Sequence, residues 1–477
     1  MLVQDWLSAQ AKLRPDTIAL IENDQQWTYQ QLNQAVATLA QKLIQFGIEP
    51  QQRVAVRLPN GFNYVCLIHA LARIRAIVVP LNTRLTEAEH QQQVEQSRCE
   101  ILIDDAHMQT INAQSTKQTL PESSIDTTAT SAIVYTSGTT GTSKGVKISH
   151  DNFLWSAIAS GIRLQNFSDD RWLLCMPLYH VGGLSIVWRC CLYGTAVVLN
   201  PFEPESVHRA LHQHRVTLIS LVPTMLYRLI DLWKSEPPPE SLRCMLLGGA
   251  ATPLSLIEEV LSMNLPIALT YGLTEAASQV ATASPEKVRQ KSGTVGPPLA
   301  FTSVSILDEN HQPLPANDIG HIAVRGPMVM QGYDHQSEIT QQVLKDDLLL
   351  TGDLGYLDED GDLWMVNRRE DLIITGGENV YPSEVETVLL QHPNIQEACV
   401  VGLPDEEWGQ KVCAALVLVS SDKFFADELK IFLESRLATY KQPRQYHILK
   451  EFPKTASGKI ERSQLLKQIQ PPLKPES

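Results

Sequence analysis

Residues 135 to 145 read YTSGTTGTSKG, and all but the first are Gly, Ser, Thr or Lys. Such a run cannot fill a core, so it is either a solvated linker or a cradle for an anion. Glycines such as Gly138 and Gly141 let backbone N–H groups approach a phosphate. The hydroxyls of Thr136, Ser137, Thr139 and Thr140 add donors, and Lys144 adds a fixed positive charge. The Walker pattern G-x-x-x-x-G-K-[ST] is not met, because Ser143 precedes Lys144 and Gly145 stands where Ser or Thr belongs. The flanks SAIVYTS and GVKIS read as two short strands, which makes the run a hairpin tip. Ser149 or Asp151 is placed to cap the helix that follows.

Other stretches carry side chains fit for chemistry: PLYHVGG (177–183), YGLTEA (271–276), TGDLGYLDEDG (351–361), NRREDLIITGGENVYPSEVE (367–386), GLPDEEWGQ (402–410) and PKTASGKIER (453–462). Together and in this order, with the Gly/Thr run, they resemble the adenylate-forming superfamily of acyl- and aryl-CoA synthetases, luciferases and adenylation domains. The resemblance covers nearly the whole chain. Three positions depart from the pattern: Ser143 for a proline, Asn367 for a glycine, and Glu370 at an acidic position that is often Asp.

The resemblance implies a two-step reaction. A carboxylate attacks the α-phosphorus of ATP to give an acyl-adenylate and pyrophosphate, then the thiol of CoA takes the acyl group and AMP leaves. Bringing an anionic nucleophile to a polyanion requires positive charge and oriented donors. By resemblance, Thr136, Ser137, Gly138, Thr139, Thr140, Gly141 and Lys144 grip the β- and γ-phosphates. Glu275 holds Mg²⁺, a cation that prefers carboxylate oxygens, and Thr274 meets the α-phosphate. Tyr271 and Gly272, with the turn Gly249, Ala250 and Ala251, enclose the adenine; Asp353 and Arg368 bind the ribose. Lys459 reaches the α-phosphate and the substrate carboxylate, although a lysine on a polar loop is ordinarily only solvated. Glu370 (or Asp371) is the hinge about which a C-terminal domain rotates, presenting Gly376 and Gly377 to the CoA channel. Those glycines are equally read as a tight turn.

The acid pocket differs among such enzymes, and PLYHVGGLSIVWRCCLYG is its informative segment. On a helix Leu184, Val187, Trp188, Cys191 and Leu192 form an inward stripe. Arg189 lies off it, one turn after Ser185, and is either a snorkelling or capping residue or a binding group. With LLGGAATPL and YGLTEAASQVATASPE, the segment most resembles the branch of the superfamily that activates o-succinylbenzoate for menaquinone and phylloquinone synthesis. That diacid keeps its benzoate carboxylate free, and a bidentate Arg suits it. His180, Ser185 and Arg189 are the expected acid-site residues, with His180 against the acyl group or simply packed. A ligase for another aryl or medium-chain acid, a module that loads a carrier protein, and an inactive nucleotide binder are the competing expectations.

The elements that must hold these residues read as α/β. Apolar runs such as RVAVRL (53–58), AIVVPL (76–81), EILIDD (100–105) and TAVVLN (195–200) alternate with helical patterns such as TYQQLNQAVATLAQKLIQFG, which Gly47 ends. These predict a large N-terminal domain, 1–369, of doubly wound α/β subdomains, with a small β-barrel-like subdomain over about 301–369 where short alternating strands begin. A small α+β domain follows over 370–477, and the resemblance implies that it is mobile. Residues 108–130 read as a mobile connection. The chain has 477 residues, 43% of them hydrophobic, and a formal net charge of −14, with no basic stripe to mark a nucleic-acid partner. No stretch approaches the ~18 apolar residues of a membrane span, no signal peptide is evident, and eight cysteines without a C-x-x-C pair fit a reducing cytoplasm.

Overall fold

The computed structural model describes residues 1–116, 124–136, 144–250, 252–367, 372–419, 426–453, 460 and 462–469. The chain divides into two compact units, one of Met1–Thr83, Val94–Thr136 and Gly145–Arg368, the other of Arg84–Gln93, Ser137–Lys144 and Arg369–Ser477.

In the first unit an eight-stranded sheet runs Ser278–Ala283, Ile267–Leu273, Cys244–Leu247, Leu218–Leu221, Arg171–Leu174, Ala196–Leu199, Ile18–Glu22, Gln25–Thr28. It is parallel except for its two edge strands. Its inner strands are mainly apolar because both faces are covered, with polar residues such as Arg171 and Glu22 at strand ends and Thr270 within Ile267–Leu273. Leu174, Leu218, Leu246 and Ala268 enter one core, while Leu173, Ile219, Leu247 and Leu269 enter another. A second sheet orders Gly332–Tyr333, Lys144–Ser149, Thr130–Thr136, Ile77–Pro80, Arg53–Val56 and Ile101–Ile103. The two strands flanking the Gly/Thr run are thus sheet neighbours. Val54, Val78 and Ala132 join the first of the two cores, so one apolar interior is shared by both sheets. A third, five-stranded antiparallel sheet comprises Ser303–Leu307, Gly320–Arg325, Leu344–Lys345, Leu348–Leu357 and Leu363–Asn367.

Local signals act as their chemistry dictates. Thr28 and Gln31 form a reciprocal capping box on the helix Tyr29–Gln45, and Ser149, not Asp151, caps His150–Leu164. The expected mobile connection at 108–130 is corrected: Asp105–Ala113 is a helix, and Ser124–Asp126 pairs with Leu2–Gln4. The polar composition of that stretch hid a strand whose partner lies at the start of the chain.

The second unit has a sheet ordered Glu378–Val380, Ile373–Thr375, Gly409–Leu418, Ile395–Asp405, with Gln445–Leu449 pairing parallel to Gly409–Leu418. Alternate residues of Gly409–Leu418 feed two small cores. Val412, Ala414 and Leu416 go to one, Cys413, Ala415 and Val417 to the other. Among the described residues no helix is long and apolar enough to cross a membrane. Seven of the eight cysteines are buried, and all eight are free thiols.

Candidate active site

The C-terminal ends of parallel strands in an open α/β sheet leave a crevice where ligands bind, and Gly249, Ala250, Tyr271 and Gly272 lie at such ends of this sheet. Cys244–Leu247 runs into Gly248 and Gly249. A Cβ on Gly248 would lie 2.6 Å from Thr270 Cγ2, and Gly249 has φ +79°, so this turn requires glycine at both positions. The neighbouring strand Ile267–Leu273 carries Tyr271, buried, whose hydroxyl donates to Asp353 Oδ2 at 2.6 Å across 82 residues of sequence. The ring expected at the adenine and the carboxylate expected at the ribose are therefore adjacent. Asp353 N donates to Thr351 Oγ1 at 3.1 Å, which fixes the carboxylate's backbone.

The strand register slips between Tyr271 and Gly272, where a Cβ on Gly272 would stand 1.9 Å from the Ser278 carbonyl oxygen. After this bulge a 3-10 turn, Thr274–Ala276, projects Glu275, and Ala277 and Ser278 take φ values of +49° and +104°. Left-handed backbone at two successive non-glycine residues costs of order 1–3 kcal/mol each and persists only where its surroundings enforce it. Ser156 Oγ and Ser185 Oγ both donate to the Ala277 carbonyl, at 2.8 and 3.3 Å. Ser185, expected at the acid, holds this turn. Glu275 Oε1 accepts from the Tyr333 hydroxyl at 2.8 Å, and the Glu275 carbonyl accepts from Met330 N at 2.8 Å. Its second carboxylate oxygen has no protein partner among the described residues.

His180 precedes the helix Val181–Tyr193. Its loop is pinned by Asn60, whose side chain accepts from Leu178 N at 2.9 Å and donates to the Met176 carbonyl at 2.8 Å. A Cβ on Gly183 would meet the Pro177 carbonyl oxygen at 2.3 Å, so the helix can start there only with glycine.

The same helix carries the least expected feature. Ten of its thirteen residues are buried, since it lies in the interior shared by the two sheets and has no solvent face. Arg189 is only 2% exposed, which excludes the snorkelling reading. Its guanidinium stands 5.6 Å from the centroid of the Trp172 ring, and among the described residues Nε and Nη2 have no hydrogen-bond partner. No carboxylate lies within ion-pair distance of it among the described residues. Burial pulls its pKa below the ordinary arginine value, against the opposing pull of Tyr193 and Cys190. A buried guanidinium with two idle donors is costly, and an anion is the kind of group that would offset that cost.

In the second unit Gly376 and Gly377 form the turn between Ile373–Thr375 and Glu378–Val380, with φ +57° and +81°. Two positive values suit a type I′ hairpin. Gly376 N donates to the Trp408 carbonyl at 2.9 Å, and a Cβ on Gly376 would stand 2.8 Å from the Trp408 ring. Thr136 ends one strand and Lys144 opens the next. Ser137, Gly138, Thr139, Thr140, Gly141, Ser143, Ala251, Arg368, Glu370, Asp371 and Lys459 lie outside the described residues. Sequence reading missed Tyr333, Asn60, Ser156 and Trp172, which belong to no motif and act only through contacts distant in sequence.

Comparison with known proteins bears on all of this. Residues 7–334 match the family model described as AMP-binding enzyme, and residues 384–459 match AMP-binding enzyme C-terminal domain. A 2-succinylbenzoate–CoA ligase of Bacillus mycoides is 39% identical over 477 residues, covering 98% of each chain. Among solved structures, a double mutant of o-succinylbenzoate CoA synthetase from Bacillus subtilis, bound with its product analogue OSB-NCoA, matches with a TM-score of 0.94. It is 36% identical, over 98% of this chain and 99% of that one. The Bacillus subtilis enzyme in complex with ATP and magnesium ion matches with a TM-score of 0.76 at 36% identity, over 98% and 100%.

Proposed function

The chain belongs to the AMP-binding enzyme family, and on that footing we propose that it is an AMP-forming acid–thiol ligase that joins o-succinylbenzoate to CoA. The carboxylate of the succinyl arm attacks the α-phosphorus of ATP and pyrophosphate leaves. The CoA thiol then attacks the acyl carbonyl, forming the thioester and releasing AMP. The observation that carries the choice of acid is Arg189, a buried guanidinium beside Trp172 with two N–H groups unpartnered among the described residues. The free benzoate carboxylate of the diacid supplies the anion this site lacks. A monoacid would leave the cation unpaired.

The remaining roles follow the family. Residues 136–145, with Lys144, hold the β- and γ-phosphates. Thr274 meets the α-phosphate, and Tyr271 with Gly249, Ala250, Ala251 and Gly272 lines the adenine. Asp353 and Arg368 take the ribose, and Lys459 bridges α-phosphate and carboxylate during adenylation. The contiguity of Tyr271 and Asp353 supports this nucleotide reading. Glu275 fits a magnesium ligand, because it offers a carboxylate oxygen with no protein partner among the described residues. When bound, Mg²⁺ supplies positive charge that offsets the phosphates' repulsion of the incoming carboxylate. His180 packs against the acyl group. For the second step the C-terminal domain, 370–477, turns about Glu370 and brings Gly376 and Gly377 to the thiol's path. Buried free thiols support a reducing, cytoplasmic setting.

The test is pyrophosphate release from ATP across a panel of acids, with and without CoA. Release with o-succinylbenzoate well above that with monoacids, followed by a CoA thioester, is the expected result. Release that favours a monoacid refutes the acid assignment, and thioester formed only on a carrier protein refutes the CoA ligase.

A further inference from the structure

The segment Met330–Thr340 has no part in the motifs that define the site, yet it is fastened to the candidate metal carboxylate at two points. Met330 N donates to the Glu275 carbonyl, and the Tyr333 hydroxyl donates to Glu275 Oε1, each at 2.8 Å. The segment is held in turn. Gly332–Tyr333 pairs antiparallel with Lys144–Ser149, in the register Gly332 to Lys147 and Tyr333 to Val146. Gln331 N donates to the Lys147 carbonyl at 3.0 Å and Asp334 N to the Gly145 carbonyl at 2.7 Å. The buried Asp334 carboxylate takes both Arg53 Nη atoms, at 2.8 and 2.9 Å. Tyr333 N donates to Thr340 Oγ1 at 2.9 Å, and that hydroxyl donates to the Gln336 carbonyl at 2.9 Å. The Tyr333 ring is buried, so its hydroxyl is a fixed donor aimed at a half-buried carboxylate.

We propose that Tyr333 is a positioning residue for the metal-bearing carboxylate: its hydroxyl holds Glu275 through Oε1, leaving the other oxygen for the divalent cation. The inference rests on the reading of Glu275 as the metal ligand. A phenol donating to a carboxylate makes a charge-assisted hydrogen bond. It removes the rotational freedom that metal binding would otherwise have to quench. Partners of this kind around metal ligands contribute about 10- to 100-fold to metal affinity. Fastening the Glu275 main chain as well, through Met330, means that neither end of the residue has to be ordered when the cation arrives.

The experiment measures Mn²⁺ affinity by electron paramagnetic resonance on the full-length protein saturated with ATP, for the native chain, Tyr333→Phe, Glu275→Gln and Thr340→Val. Circular dichroism and Tm establish that each variant is folded. Tyr333→Phe is expected to weaken Mn²⁺ about 10- to 100-fold and to raise by a similar factor the Mg²⁺ needed for half-maximal pyrophosphate exchange. Glu275→Gln should weaken it at least as much. Thr340→Val removes two hydrogen bonds of the same segment, one of them to the Tyr333 main chain, but keeps the Tyr333 hydroxyl, and should weaken the affinity far less than Tyr333→Phe. Native affinity in folded Tyr333→Phe, with loss in Glu275→Gln, overturns the role of Tyr333 alone. Native affinity in Glu275→Gln overturns the metal reading beneath it. An equal loss in Thr340→Val assigns the effect to the whole segment and also overturns the proposal.

Discussion

Arg189→Met replaces a buried cation by an unbranched apolar side chain of similar length. In the native protein two guanidinium donors, Nε and Nη2, stand without partners among the described residues. A hydrogen bond to a charged group contributes about 1.5–3 kcal/mol, so two such bonds to the benzoate carboxylate amount to about 3–6 kcal/mol. That equals a fall of about 10² to 10⁴ in kcat/KM for o-succinylbenzoate. The comparison acid is 3-benzoylpropionate, which keeps the succinyl arm and lacks the ring carboxylate. For that acid the variant should match or exceed the native enzyme, because nothing anionic then needs Arg189. Stability should move the other way. Exchanging an unpaired buried charge for an apolar group is neutral or stabilising by about 1–4 kcal/mol, so Tm should not fall. Pyrophosphate release measured for both acids on both proteins, with Tm from thermal unfolding, completes the cycle. An equal loss for both acids, or no loss for either, refutes the reasoning, as does a variant that is clearly less stable than the parent.

Three further outcomes are expected. Burial pushes the pKa values of His69 and His150 down to about 4, from an ordinary value of 6.5. The unfolded chain therefore binds protons there that the folded chain refuses. Stability is full above pH 6.5 and drops as pH falls toward 4, with each histidine costing about 2 kcal/mol by pH 5; urea unfolding at pH 7 and 5 on the native chain and His150→Phe checks the sign and size. The Arg73–Asp5 ion pair is buried on both sides, with Arg73 Nε donating to Asp5 Oδ2 at 2.7 Å. Asp5→Ala leaves the guanidinium uncompensated and should cost about 3–5 kcal/mol in chemical denaturation. Gly272→Ala drives a Cβ to 1.9 Å from the Ser278 carbonyl oxygen, so the bulge must open; loss of the Tm rise on adding ATP is the expected readout.

What individual segments are chemically suited to was legible in the sequence because it is local. A Gly/Thr run with one lysine suits phosphate wherever the fold carries it, and Thr28 with Gln31 caps a helix without help from outside the turn. The alternation of apolar runs with helical patterns likewise reported an α/β fold, since each strand's burial on two faces is written into its own residues. Contacts between segments were not legible. The helical stripe Leu184, Val187, Trp188 and Cys191 marks one buried face, but a helix placed in an interior shared by two sheets is buried all round, and only that placement makes Arg189 a cation without solvent or partner. Tyr271 meets Asp353 across 82 residues, and Tyr333 meets Glu275 across 58. Neither tyrosine's neighbours in sequence carry a trace of these hydrogen bonds. Residue type and local pattern decided what each side chain of this protein can do; the packing of distant strands decided which of them are deprived of water, and so which are left with donors and acceptors that a ligand must satisfy.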